Sequence, residues 1–144
     1  MLVSQMLKSK SDVGVISVTP TSTVAEAAKL LSQHRIGTVV VSADGESLDG
    51  ILSERDIVRE LGKRGAGCLS DPVSDLMTSK LTTCSPEDSA LKVLEMMTDG
   101  RFRHLPVMQD GKMVGLISIG DAVKSRIAEL AMEKESLEGM IMGH

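Results

Sequence analysis

Gly50-Ile51-Leu52-Ser53-Glu54-Arg55-Asp56 returns, 65 residues later, as Gly115-Leu116-Ile117-Ser118-Ile119-Gly120-Asp121. Both stretches fit the frame Gly-x-x-Ser-x-x-Asp. Reading outward, Val24, Ala27, Ala28 and Leu31 correspond to Ala90, Val93, Leu94 and Met97, Pro20 to Pro86, Val41 to Val107 and Gly45 to Gly111. At the start of each copy, Val3-Ser4 and Ser9-Lys10 match Val73-Ser74 and Ser79-Lys80. A repeat this long means two copies of one supersecondary unit. Two such copies packed face to face would make a cleft with two related sites.

The chain has 144 residues, so each copy alone is near the lower limit for a stable core and is expected to bury its apolar face against the other. Hydrophobic residues make up 42%, which supports a globular fold. With one Phe and no Trp or Tyr, aliphatic side chains and ten Met must fill the interior. The net charge of −4 argues against a nucleic-acid coat, which needs a basic face. No apolar run is long enough to span a bilayer, and residues 1–10 lack the apolar core of a signal peptide. Cys68 and Cys84 are too few for a zinc site. They suit free thiols in a reducing cytoplasm better than a single disulfide. A soluble cytoplasmic protein is the expectation.

Each half reads as strand, helix, strand, strand, helix. Val13–Val18 is apolar and β-branched, and Thr19-Pro20 turns the chain. Val24, Ala27, Ala28 and Leu31 lie on one helical face, with Thr23 and Glu26 spaced for a capping box. Thr38–Val41 has the composition of a buried strand, Asp44-Gly45 marks a turn, and Leu48–Ser53 is the next strand. A helix follows with Ile57, Val58 and Leu61 inward. Gly62–Asp71 reads as the linker. The second half repeats the order: Ala90–Met97 is helical, Leu105–Met108 and Met113–Ser118 are strands joined by Asp110-Gly111, and a long helix starts near Asp121. In that helix Val123, Ile127, Leu130, Leu137 and Ile141 follow a 4-3-7-4 spacing, with Lys134 at the skipped position. Two readings stay open: a helix packed on its own core with a frayed tail past Glu138, or a dimer seam. The domain division expected is 1–67, 68–128 and a helical extension, 129–144.

Ser-x-x-Asp where a strand ends and a helix begins is, first of all, a helix cap. The same geometry also suits a ligand. A helix N-terminus offers unpaired N–H groups and a positive dipole end to a phosphate, and a carboxylate there accepts two hydrogen bonds from a ribose diol. Recurrence in register inside a repeat strengthens the second reading. Ahead of the third apolar segment the halves differ. Arg35-Ile36-Gly37-Thr38 faces Arg101-Phe102-Arg103-His104, so the second copy holds the extra positive charge. Arg103 and His104 suit phosphate, although a solvated helix–strand turn with Arg101 capping helix carbonyls explains them too.

With the doubled Gly-x-x-Ser-x-x-Asp, Arg103-His104-Leu105-Pro106-Val107 and Asp75-Leu76-Met77-Thr78 in place, the chain resembles a tandem pair of cystathionine-beta-synthase (CBS) domains, a Bateman module, from about Val3 to Arg126. The resemblance implies an α/β (α+β) fold of two β-α-β-β-α repeats packed across a pseudo-twofold axis, with an extended C-terminal helix. It implies that an adenosine-containing ligand (AMP, ADP, ATP or NAD(H)) binds between the repeats. Asp56 and Asp121 would take ribose hydroxyls, and Ser53 and Ser118 would lie near phosphates. Val18-Thr19 and Thr83-Cys84 would line the adenine, mainly through backbone. Arg103 and His104 would meet phosphate, where Gly37 and Thr38 in the other repeat bring no charge, and Lys124 and Arg126 are further phosphate candidates. It also implies a homodimer, in keeping with the prevalence of closed twofold dimers, with Ile57, Leu61, Val123 and Ile127 on the pairing surface. The reading is of a ligand-sensing module acting on an unknown protein target or through its own assembly. A scaffold with no nucleotide, or a small nucleotide-processing enzyme built on His104 and Asp121, are the alternatives. No nucleophile motif, metal cluster or Walker loop supports the enzyme, and the lack of stacking aromatics disfavours nucleic acid.

Overall fold

The computed structural model describes residues 1–9 and 15–141. Its elements are α1 (Val3–Ser9), β1 (Ser17–Val18), α2 (Val24–His34), β2 (Thr38–Val41), β3 (Gly50–Ser53), α3 (Glu54–Arg64), two 3-10 helices (Gly65–Ser70 and Val73–Asp75), α4 (Ala90–Gly100), β4 (His104–Gln109), β5 (Lys112–Ser118) and α5 (Ile119–Ile141). They form two compact units. The first-repeat unit holds residues 15–82 together with Asp110–Val114. The second-repeat unit holds α1, Thr83–Gln109 and the residues from Gly115 onward.

In the first-repeat unit the strand order is β1-β2-β3. β1 runs parallel to β2 with Val18 beside Val41, and β2 runs antiparallel to β3 with Thr38 opposite Ser53. All four β2 residues are buried, as their unbroken apolar run requires. α2 packs Val24, Ala27 and Leu31 onto this sheet. It starts where expected: Thr23 caps it, Glu26 N donates to Thr23 Oγ1 at 3.1 Å, and Thr23 N donates back to the Glu26 carboxylate. It ends at Arg35, held in the left-handed region at φ 53° with its N–H on the carbonyls of Leu31 and Ser32. In the second-repeat unit Cys84 replaces the first strand by a parallel bridge to Val107 of β4, and β4 pairs with β5. Asp110 and Gly111, at φ 53° and 77°, make the tight turn their dipeptide predicts. The core there is Val93, Met97, Leu105, Val107, Ile117 and Ala122, with Val3 and Met6 from α1.

The segments ahead of the two repeats change places. Val3 N and Ser4 N donate to the carbonyls of Asp88 and Pro86, at 2.8 and 3.0 Å, in the second repeat. Val73 N and Ser74 N donate to Ser22 and Pro20, at 2.8 and 3.2 Å, in the first. These are equivalent positions, which explains why Val3-Ser4 matches Val73-Ser74. Each short apolar helix closes the far end of the other copy's core, so the compact units do not follow the sequence halves at their edges.

Several details differ from the sequence expectation. Among the described residues of the expected first strand, Ser17–Val18 enter the ladder, while Ile16 accepts from Val40 N; Lys10, Val13 and Gly14 lie outside the described residues. Gly62–Arg64 extend α3, and the rest of the supposed linker is a 3-10 turn that buries Cys68. Val58 points outward, 65% exposed, because its neighbours Ile57 and Leu61 already occupy the inward face. α5 meets its own unit through Ala122 and Ser125, not through the 4-3-7-4 seam. Val123, Ile127, Leu130 and Leu137 are all exposed, and the side chain of Ile141 is outside the described residues.

Both cysteines are buried free thiols. Burial beside the carboxylate of Asp88 pushes the Cys84 thiol up to about 12. Iodoacetamide at neutral pH is therefore expected to leave Cys84 unmodified in the native protein and to label it only after denaturation, as read by mass spectrometry. Rapid labelling of the folded chain would contradict this environment.

Candidate functional site

The two Ser-x-x-Asp motifs sit where a strand hands over directly to a helix, and both close a hydrogen-bonded cap. At the β3–α3 junction Asp56 N donates to Ser53 Oγ at 3.3 Å, while Asp56 Oδ2 accepts from Ser53 N at 2.9 Å and from Ser53 Oγ at 3.0 Å. At the β5–α5 junction Asp121 N donates to Ser118 Oγ at 3.1 Å, and Asp121 Oδ2 accepts from Ser118 N at 2.9 Å. One carboxylate oxygen in each copy is thus fixed by the cap, and the carboxylate sits at the positive end of the helix dipole.

The surroundings of the two carboxylates differ. Asp56 Oδ1 is held by Arg59 Nη2 at 2.8 Å, and Asp56 is 8% exposed. Asp121 is half-buried, and the position equivalent to Arg59 is Lys124, which is exposed. Sequence reasoning passed over Arg59, although an Asp–Arg pair three apart on one helix face was there to be read.

Around Asp56 the first-repeat unit gathers Gly37 and Thr38: Glu54 N donates to the Gly37 carbonyl at 2.9 Å, and Thr38, 5% exposed, lies across from Ser53. Val18 is on the same sheet but beside Val41, the far end of β2. That places Val18 and Thr19 ~10 Å along the strand from the Thr38–Ser53 pair. The Val18 carbonyl accepts from Ser42 N and the Thr19 hydroxyl meets Ser22 Oγ at 2.9 Å.

In the second-repeat unit the same hand-over ties Arg103 to the helix start, its carbonyl accepting from Ile119 N at 2.8 Å. The exposed Arg103 side chain and the half-buried His104 therefore flank the Asp121 junction. Lys124 is nearly one turn beyond Asp121 on the same side of α5. Arg126, five residues on, is rotated by ~140° from Asp121 and pairs with Glu129 at 3.1 Å, so it is not brought to the junction. Cys84 has its N–H on Pro106 and its carbonyl on Met108 N, both in the ladder with β4. Arg101, like Arg35, is a left-handed C-cap, its N–H on the Met97 carbonyl.

An open groove of about 510 Å³ lies between α2 and α3, lined among others by Leu31, Arg35, Ile36, Gly37, Glu54 and Val58. Neither Ser53 nor Asp56 lines it. Among the described residues no three His, Cys, Asp or Glu side chains gather to hold a metal, and no helix is long and apolar enough to cross a membrane.

Comparison with known proteins matches two CBS domains, over residues 10–63 and 73–128. The CBS domain-containing protein CBSX3, mitochondrial, of Arabidopsis thaliana is 38% identical over 148 residues, covering 98% of this chain and 72% of that protein. The crystal structure of the CBS-domain containing protein ATU1752 from Agrobacterium tumefaciens is 42% identical with a TM-score of 0.82, covering 88% of this chain and 99% of that one. The CBS domain protein PAE2072 from Pyrobaculum aerophilum, solved in complex with AMP, is 27% identical with a TM-score of 0.73, over 84% of this chain and 89% of that one. With its doubled strand–cap–helix junction and two matched domains, this chain belongs to the CBS domain family as a tandem pair.

Proposed function

We propose that the protein is a cytoplasmic regulatory module that binds an adenosine-containing ligand, AMP, ADP, ATP or NAD(H), and signals its occupancy to a separate protein or through its own assembly as a homodimer. The observation that carries the reading is the Asp121 junction. A half-buried carboxylate sits at a helix N-terminus, its Oδ2 accepting from Ser118 N, with Arg103, His104 and Lys124 beside it. The AMP bound by the related PAE2072 supports the ligand class. The carboxylate takes the ribose diol and the cationic groups take phosphate, so the role is binding rather than catalysis.

In this reading Asp121 serves the ligand and Asp56 serves the helix. Arg59 occupies Asp56 Oδ1, and Gly37 and Thr38 bring no cation. Arg59→Ala is expected to free Asp56, so that adenosine, which has no phosphate to neutralise, binds with a second equivalent in equilibrium dialysis. Unchanged stoichiometry in that variant would contradict the assignment of Arg59 as the block.

The ligand itself is open to direct identification. With no Trp or Tyr, the folded protein absorbs almost nothing at 280 nm, so bound adenine dominates its spectrum. Protein purified without added ligand, or after incubation with AMP, ATP and NADH followed by desalting, is expected to show a 260 nm band and to release a nucleotide mass on heating. A flat spectrum after incubation with all three would oppose the reading.

A further inference from the structure

α5 is 23 residues long, ~35 Å, and only its first half packs on its own unit. From Ala131 to Glu138 every side chain is exposed. Along one side run Val123, Ile127, Leu130, Lys134 and Leu137, spaced 4-3-4-3, with the four apolar members 41, 62, 48 and 59% exposed. This is the a/d stripe of a coiled coil, turned away from the core that the helix already serves through Ala122 and Ser125. A row of apolar side chains in water at heptad spacing needs a second helix carrying the same spacing.

We infer that this stripe pairs with α5 of a second copy of the chain, running antiparallel. The charges choose both the partner and the direction. In a parallel pair in register the two copies of Lys134 face each other inside the seam, and Glu133 of each chain faces Glu138 of the other. Both are like-charge contacts. Reversing one helix, with Ile127 against Leu137 and Leu130 against Lys134, separates the lysines and sets Lys124 of each chain opposite Glu138 of the other. One like-charge contact remains, Glu133 with its own mate. Lys134 packs its methylene stem beside Leu130 of the second copy and carries its ammonium to solvent. A single Lys at a core position of this kind sets register and partner number at some cost in affinity.

The inference deepens the homodimer part of the reading above, and its test needs no ligand. Light scattering or sedimentation of the full chain at ~100 µM is expected to give a dimer mass, the range in which a short seam associates. Leu130→Glu should return a monomer with unchanged circular dichroism. Met132→Glu, outside the seam and 65% exposed, should remain dimeric. Lys134→Leu should tighten the dimer by ~10-fold or more. Glu138→Lys fixes the direction: it weakens an antiparallel pair, where the new ammonium meets Lys124 of the second copy, and strengthens a parallel one, where it meets Glu133. A monomeric wild-type chain overturns both this inference and the homodimer. A dimer indifferent to Leu130→Glu leaves the homodimer standing and overturns the α5 seam, and a dimer tightened by Glu138→Lys overturns the antiparallel arrangement.

Discussion

Asp121→Ala is expected to weaken AMP binding by ~100-fold or more, because it removes two hydrogen bonds from a ribose diol to a charged acceptor, each worth about 1.5–3 kcal/mol. The substitution also deletes the acceptor of Ser118 N and so costs α5 part of its cap, about 1 kcal/mol. Asp121→Asn separates the two effects. Its side-chain oxygen still accepts from Ser118 N, but its amide offers donors where the diol needs an acceptor, so the fold stays and affinity falls. Calorimetric affinities within threefold of wild type in both variants would remove Asp121 from the site. Asp56→Asn is expected to change AMP affinity little and stability more, since that carboxylate holds Ser53 N, Ser53 Oγ and Arg59.

Gly50→Ala is the substitution expected to harm the fold most. A Cβ at Gly50 would stand 2.7 Å from Met77 Sδ and 2.8 Å from the Thr78 carbonyl. That carbonyl cannot retreat easily, because Ile51 and Thr78 exchange both backbone hydrogen bonds, at 3.0 and 2.9 Å. Overpacking against fixed backbone costs about 3 kcal/mol, or ~10 °C in Tm for a chain of this size. Gly115 opens the same motif in the other repeat, yet there the new methyl meets Leu7 Cδ2 at 2.5 Å, the mobile end of a side chain. Gly115→Ala is expected to cost about 1 kcal/mol. Thermal melts followed by circular dichroism compare the two, and a larger drop for Gly115→Ala would contradict the packing described.

The repeat made most of the fold legible, because the cues were local. Thr23 with Glu26, Asp110 with Gly111 and the two Ser-x-x-Asp caps each settle a boundary by their own hydrogen bonds. What the sequence left hidden depends on partners distant along the chain. Val3-Ser4 and Val73-Ser74 were visible as a match, but nothing local says that each docks on the other repeat. The seam of α5 had the right spacing for two opposite roles, and only the burial of Ala122 and Ser125 shows which side faces the core. Val58 was misplaced because Ile57 and Val58 are both apolar and adjacent, so hydrophobicity alone could not choose between two sides 100° apart. At the candidate site the carboxylates and the three-residue spacing of Asp56 and Arg59 were readable, but spacing does not fix a rotamer, so that Arg59 reaches back to Asp56 Oδ1 is visible only in the structure.

An adenosine ligand held at Asp121 of the tandem CBS pair is open to side-by-side calorimetric titration of the wild-type chain and Asp121→Asn with AMP, ATP and NADH. Saturable binding of at least one of the three to the wild type, and its loss in the folded variant, is the expected result. Binding that survives Asp121→Asn unchanged, or none to the wild type, would contradict it.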